Sequence, residues 1–204
     1  ASFDLDFITV KRTGDGYNAE TITDEKYPSA TAIRKEWNEK RLEGLEKYIP
    51  KEAAEVYSRV IDAYGISDVK ALGAVYLSFF RLNSGETLEE FVGAGGGISY
   101  RICEASHKAR SIDELIALVK TKRYTDASIR RTMLYSLVGV TQNDISGVPM
   151  EALILAANGS GREIIAKSRK ADGFKLVTKP ADMDMSLRQN ILTRRIDDIF
   201  TLAS

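Results

Sequence analysis

Scarcity limits the chemistry of this sequence before any motif does. Its 204 residues include one cysteine, one histidine and four prolines. A lone Cys103 cannot close an intrachain disulfide, and within the helical pattern ISYRICEA it is expected to be a buried thiol. With one Cys and one His, a metal centre would have to be built from carboxylates, and no EF-hand or other ligand spacing occurs, so no protein-bound metal is expected. A Ser-His-Asp or Cys-His centre would have to use His107, beside which the sequence sets neither a nucleophile nor an orienting acid. No run approaches the roughly 18 to 20 apolar residues of a membrane span. The opening ASFDLDF has neither the charged nor the apolar region of a signal peptide. A cytoplasmic chain with no membrane partner is therefore expected. Net charge is absent too, since 29 basic residues cancel 29 acidic ones.

Against that neutral background one stretch stands out. Between Leu118 and Leu134, LVKTKRYTDASIRRTML carries Lys120, Lys122, Arg123, Arg130 and Arg131 against a single acid, Asp126. Helical patterns flank it, so the cations are expected at a helix–turn–helix corner, where they could face a polyanion. A solvated turn between two core helices explains the same charge pattern.

At 44% hydrophobic and 28% charged, the chain can bury a substantial core in one domain or two. Phe7 to Val10 form a short β-rich run that meets Lys11, Arg12 and a Gly14-Asp15-Gly16 turn, which predicts a strand ending in a basic loop. The following residues are helical and offer that strand no partner. Ser29 can cap a helix carrying Ile33 and Trp37, and Ser29, Thr31 and Arg34 together give a helix N-terminus suited to phosphate. Pro50 ends that helix and opens the next, which Gly65 stops; Ser67 restarts the pattern through Phe80. Thr87 and Glu90 form a capping-box pair for a short helix through Val92, and Gly93 to Gly97 read as a flexible junction, since the Lys-Ser/Thr of a P-loop is missing. Helices are expected over 98–109, from a Ser111–Glu114 capping box, and from a cap at Thr125 or Asp126. After Gly139, ALILAA, an Asn158-Gly159-Ser160-Gly161 turn, a helix and FKLVT predict a small βαβ unit, with the turn structural and not a dinucleotide fingerprint. A last helix spans 186–202, with Leu187, Ile191, Ile199 and Leu202 inward and Arg188, Arg194 and Arg195 outside.

Six blocks, VKRTG, SATAIRK, GGISYRI, KTKRYTDASIRR, ANGSGREIIAKSRK and IDDIFTL, follow in an order and spacing that resembles the C-terminal half of the bacterial tRNA(Met) cytidine acetate ligase family, a HIGH-type nucleotidyltransferase lineage. The resemblance implies a mainly α fold: a helical domain with a βαβ appendage, preceded by the last strand and helix of an incomplete α/β nucleotide-binding domain. It implies divisions at 1–49, 50–145 and 146–204. It also implies a parent that uses ATP, with Mg2+, and acetate to form acetyl-adenylate and then acetylates the wobble cytidine of elongator tRNA(Met) to N4-acetylcytidine. Arg12, Thr13, Ser29, Thr31 and Arg34 would face the nucleotide; Lys120, Lys122, Arg123, Arg130 and Arg131 would face tRNA.

The family's histidine motif has no counterpart here: His107 does not match it, and no catalytic residue is assigned. The chain is accordingly expected to be part of a longer protein and inactive alone. Gly96 stands where the family has an acid, and Ser128 where it has an arginine. Two further readings stay open, a helical RNA-binding module and a related nucleotidyltransferase acting on a small molecule, as does a homo-oligomer.

Overall fold

A computed structural model describes residues 7–40, 47–169 and 173–203. The chain divides into two compact units, residues 1–66 and 67–204.

In the first unit, residues 7–13 form no strand. The expected strand at Phe7 to Val10 is therefore corrected: among the described residues it finds no second strand to bond to, and the side chains of Phe7, Ile8 and Val10 are 84–91% exposed. Helix α1 (Ala30–Lys40) starts at Ser29, whose hydroxyl accepts the Ala32 N–H at 2.9 Å. Helix α2 (Lys51–Tyr64) follows Pro50 and ends at Gly65, which sits at φ +79° and returns its N–H to the Ile61 carbonyl. Trp37 meets Tyr57 edge-on, with ring centroids 4.7 Å apart.

The second unit is the helical body expected from the sequence, with a two-stranded parallel sheet near its end. It starts at Ser67, and Asp68 caps a 3-10 turn over Val69–Leu72 by accepting the Lys70 N–H. Helix α3 (Gly73–Leu82) then sends Tyr76, Leu77 and Phe80 inward. The short α4 (Gly85–Leu88) is capped by Ser84, which accepts the Thr87 N–H; the capping box expected at Thr87 is thus one turn too late. The helix through Val92 does not form, because Phe91 leaves to bridge Thr141 and the Val92 N–H bonds to the Val140 carbonyl.

Helices α5 (Ile98–Lys108), α6 (Ile112–Val119) and α7 (Asp126–Val138) close the core around Phe80, Leu88, Ile102, Leu115, Val119 and Ile129. Ser111 and Thr125 cap α6 and α7 as the sequence predicts. Cys103 is buried, which pushes its thiol pKa up. After α8 (Gln142–Ser146), strand β1 (Glu151–Leu153), helix α9 (Gly159–Ser168) and strand β2 (Lys175–Val177) make the βαβ unit, with Glu151 opposite Lys175 and Leu153 opposite Val177. Asn158 caps α9 through the Gly161 N–H, so both glycines of the GSG turn lie in a helix and serve structure.

Helix α10 (Arg188–Thr201) keeps Arg188, Arg194 and Arg195 exposed, as expected, and two of them also fasten it. Arg188 donates to the Gly139 carbonyl at 2.6 Å and to Asp144, while Arg195 donates to the Val138 carbonyl at 3.1 Å. Both satisfy carbonyls at the C-terminus of α7, where cations are favoured. Leu202, expected inward, is exposed. A buried carboxylate ties the sheet to α10: Glu151 lies 2.9 Å from the Lys175 ammonium and accepts from Asn190 Nδ2 at 2.5 Å and the Asp184 N–H at 3.0 Å. Lys175 above all holds the Glu151 carboxyl below the usual carboxylate range.

Asp144 makes this fastening sensitive to acid. Its bond from Arg188, with those from the Thr141 N–H and hydroxyl, lowers its pKa from 3.8 to about 2. A depressed carboxylate stabilises the fold fully above its unfolded pKa and loses that contribution as pH falls through the folded one. Asp144→Asn should therefore be less stable than the parent above about pH 4, and the two should converge toward about pH 2. Urea midpoints across that range check this; a gap that widens on acidification would contradict it.

Candidate functional site

Each unit carries one group of the residues singled out from the sequence. In the first, the segment from Arg12 to Ser29 folds over Asp15. Gly14 sits at φ +87°, and a Cβ there would overlap the Tyr27 backbone and side chain, so the close approach of the two segments needs glycine. The Asp15 N–H donates to the Tyr27 carbonyl at 3.1 Å. Its carboxylate accepts the N–H groups of Thr23 and Asp24 at 3.1 and 3.0 Å and the Thr23 hydroxyl. The Thr23 hydroxyl leads these bonds in holding the Asp15 carboxyl below its ordinary range.

Arg12 joins the same knot by donating from Nε to the Asp15 carbonyl at 3.0 Å, while its terminal nitrogens carry no bond among the described residues. Ser29 is fully buried: besides capping α1, its hydroxyl donates to the Ala19 carbonyl. Thr31 is half-buried; Thr13 and Arg34 are exposed. One buried aspartate thus links the loop bearing Arg12 and Thr13 to the N-terminus bearing Thr31 and Arg34. In the sequence, Asp15 reads only as part of a Gly14-Asp15-Gly16 turn. Its partners eight and nine residues away leave no periodic trace.

In the second unit, Lys120, Lys122 and Arg123 lie in the turn between α6 and α7, Arg130 and Arg131 lie in the second turn of α7, and all five are exposed. The turn is closed locally. Thr121 Oγ1 accepts the N–H groups of Arg123 and Tyr124 at 3.2 and 3.0 Å, and the Thr121 N–H donates to the Tyr124 carbonyl. The five cations are not equivalent. Lys120 pairs with Asp126 at 2.9 Å and Arg130 with Asp113 at 3.5 Å. Lys122, Arg123 and Arg131 have no carboxylate partner among the described residues.

Arg123 lies beside a ring and a glycine instead. Its guanidinium carbon lies 5.4 Å from the centre of the Tyr124 ring, and Nη2 would stand 3.0 Å from a Cβ on Gly96. Tyr124 donates its hydroxyl to the Gly96 carbonyl at 2.5 Å, and Thr132 donates to the Gly93 carbonyl at 2.9 Å. The glycine run expected as a flexible junction is therefore an anchored loop that carries Ala94 with no exposure. Gly93, Gly96 and Gly97 adopt φ of +77°, +69° and +87°, which is why glycine recurs there. Among the described residues no cluster of His, Cys, Asp or Glu could hold a metal, and no helix is long and apolar enough to cross a membrane.

Comparison with known proteins places this geometry in a lineage. A family model described as HIGH Nucleotidyl Transferase matches residues 1–204. A tRNA(Met) cytidine acetate ligase from Thermoanaerobacter sp. (strain X514) is 30% identical over 208 aligned positions, 96% of this chain and 50% of that protein. The Thermotoga maritima protein of the same name is 31% identical over 193 positions, 92% of this chain and 45% of that one. A crystal structure of T. maritima TmcAL without ligand superposes with a TM-score of 0.73 at 27% identity, over 92% of this chain and 47% of that chain. A second, bound with alpha-thio ATP, gives 0.68 at 28% identity, over 84% and 45%. The chain thus spans about half the length of the curated relatives it matches. With the match running over every residue, the chain belongs to the HIGH nucleotidyl transferase family.

Proposed function

We propose that this chain is part of an ATP-dependent ligase that activates acetate as acetyl-adenylate and transfers the acetyl group to the wobble cytidine of elongator tRNA(Met), forming N4-acetylcytidine. The observation that carries the reading is the similarity to tRNA(Met) cytidine acetate ligases over 96% of the chain, running through both the Asp15-centred loop and the basic corner. A relative crystallised with an ATP analogue supports the nucleotide half of the reading.

In it, Arg12, Thr13, Thr31 and Arg34 face the nucleotide, Mg2+ enters with ATP, and Ser29 acts by holding the α1 N-terminus in position. The chemistry calls for this. Pyrophosphate departs with growing negative charge, and a guanidinium and backbone N–H groups fixed beforehand stabilise that charge without reorganising. The basic corner holds tRNA by its phosphates, and the groups that make and break bonds are contributed from outside these residues.

The complete gene product, incubated with ATP, acetate and a tRNA(Met) transcript, should yield N4-acetylcytidine by mass spectrometry of the digested RNA. Acetylation that proceeds without ATP, or none at all, would overturn the reading; RNA binding without acetylation would favour a helical RNA-binding module. Arg34→Ala in that protein should lower ATP-dependent turnover at least about tenfold. Wild-type turnover would remove Arg34 from the phosphate site.

A further inference from the structure

Five exposed cations along one turn and the start of the helix after it suggest a diffuse positive surface, yet they differ in their partners. Lys120 and Arg130 must leave Asp126 and Asp113, at 2.9 and 3.5 Å, before either can meet another anion. Lys122 and Arg131 have no carboxylate partner and no ring beneath them among the described residues. Arg123, without a carboxylate partner among the described residues, lies over the Tyr124 ring and beside Gly96.

We infer that Arg123 is a pre-set seat for one phosphodiester of the bound RNA, and that Gly96 and Tyr124 build the seat. The inference rests on the reading of the corner as an RNA surface, and it adds which residue fixes register and what fixes that residue. Three observations support it. Tyr124 lies under the guanidinium, is packed against the helical core, and hydrogen-bonds the Gly96 carbonyl at 2.5 Å. Gly96, at φ +69°, leaves open the space into which Nη2 of Arg123 fits, 3.0 Å from where a Cβ would stand. The Arg123 N–H is tied to Thr121 Oγ1 at 3.2 Å, so the backbone that carries the guanidinium is held.

An arginine immobilised on binding loses rotamer freedom, and one held beforehand does not. Its planar donors match two oxygens of a phosphate at once, which a lysine ammonium does not do. Lys122 and Arg131 in the same turn and the following helix provide the surrounding positive field, so the fitting ligand is one phosphate of a chain of phosphates. Gly96 would then determine RNA affinity without touching RNA.

The test titrates the 204-residue chain and its variants against a tRNA transcript at several salt concentrations. Arg123→Lys, which keeps the charge, should weaken binding about fivefold. Gly96→Ala, which changes no charge, should weaken it by a similar factor, because the added methyl displaces the guanidinium. The double variant should bind no worse than Arg123→Lys alone, since both changes remove the same seat.

Losses that multiply in the double variant would show that Gly96 acts elsewhere and would overturn the inference, as would single variants within twofold of the parent. Should strain at Gly96→Ala unfold the loop by circular dichroism, Tyr124→Phe replaces it. Losing only the hydroxyl that holds Gly96, this variant should weaken binding about twofold, and parental affinity would count against the seat. If the parent chain shows no salt-dependent tRNA binding at all, the RNA reading itself fails, an outcome distinct from equal binding by parent and variants.

Discussion

Phe80→Ala lowers the unfolding free energy of the helical unit by about 3–5 kcal/mol. Phe80 has no exposed surface; it stacks on Tyr76 with centroids 6.4 Å apart and meets Phe79 edge-on at 5.2 Å. Removing the ring takes away its transfer free energy and leaves a cavity that close-packed helices cannot fully collapse. A domain of this kind is stable by about 5–15 kcal/mol, so the loss is a large share of the total. The same core includes Leu115, Val119, Ile129 and Met133 of the two helices that meet at the basic corner. Destabilising it should release the Arg123 seat before any charge is changed. Urea denaturation followed by tryptophan-independent circular dichroism checks the value; a loss under about 1 kcal/mol would mean that Phe80 is not part of a tightly packed core.

Replacing Arg123, Arg130 and Arg131 together by alanine lowers affinity for tRNA about a hundredfold at moderate salt. The estimate takes roughly one phosphate contact per arginine, each also reducing the salt slope by about one. The three should not contribute equally. Arg130 begins paired with Asp113, so whatever it gains from RNA is offset by the ion pair it gives up, whereas Arg123 has no carboxylate to give up among the described residues. Single variants should accordingly rank Arg123→Ala as the most damaging of the three. Folding is little affected by these changes, since all three side chains are exposed. Undiminished binding by the triple variant would reduce the corner to a solvated turn.

What was legible in the sequence was local. The caps at Ser29, Ser111 and Thr125 follow from a hydroxyl meeting an N–H three residues on, and the basic corner follows from charges counted along a turn. The βαβ unit follows from two apolar runs around a capped helix. Local matching also misled: Thr87 and Glu90 fit the capping-box template, but Ser84 lies one turn earlier and takes the Thr87 N–H first. The strand expected at Phe7 to Val10 fits a β-rich composition, and a strand also needs a neighbour to bond to.

The remaining features depend on partners distant in sequence. Asp15 gathers Thr23, Asp24 and Tyr27; Glu151 meets Lys175 and Asn190; Arg81 on α3 donates to the carbonyls of Ser106 and Ala109 at the end of α5, both at 2.8 Å. Arg188 and Arg195 do lie on the exposed face of α10, and their bonds to carbonyls at the end of α7 leave no mark in the periodicity. The glycine run shows the same limit from the other side. Composition allows a flexible junction, and only the hydroxyls of Thr132 and Tyr124 reveal that the loop is pinned beside Arg123.

The most direct test of the account is the salt dependence of tRNA binding by the 204-residue chain, measured by titration with a tRNA(Met) transcript from about 50 to 200 mM monovalent salt. Three to five phosphate contacts should give a straight line of log affinity against log salt with a negative slope of about 3 to 5, which the Arg123, Arg130 and Arg131 triple variant flattens by about three. An affinity that ignores salt, or a slope that the triple variant leaves unchanged, would contradict the claim that this corner holds RNA.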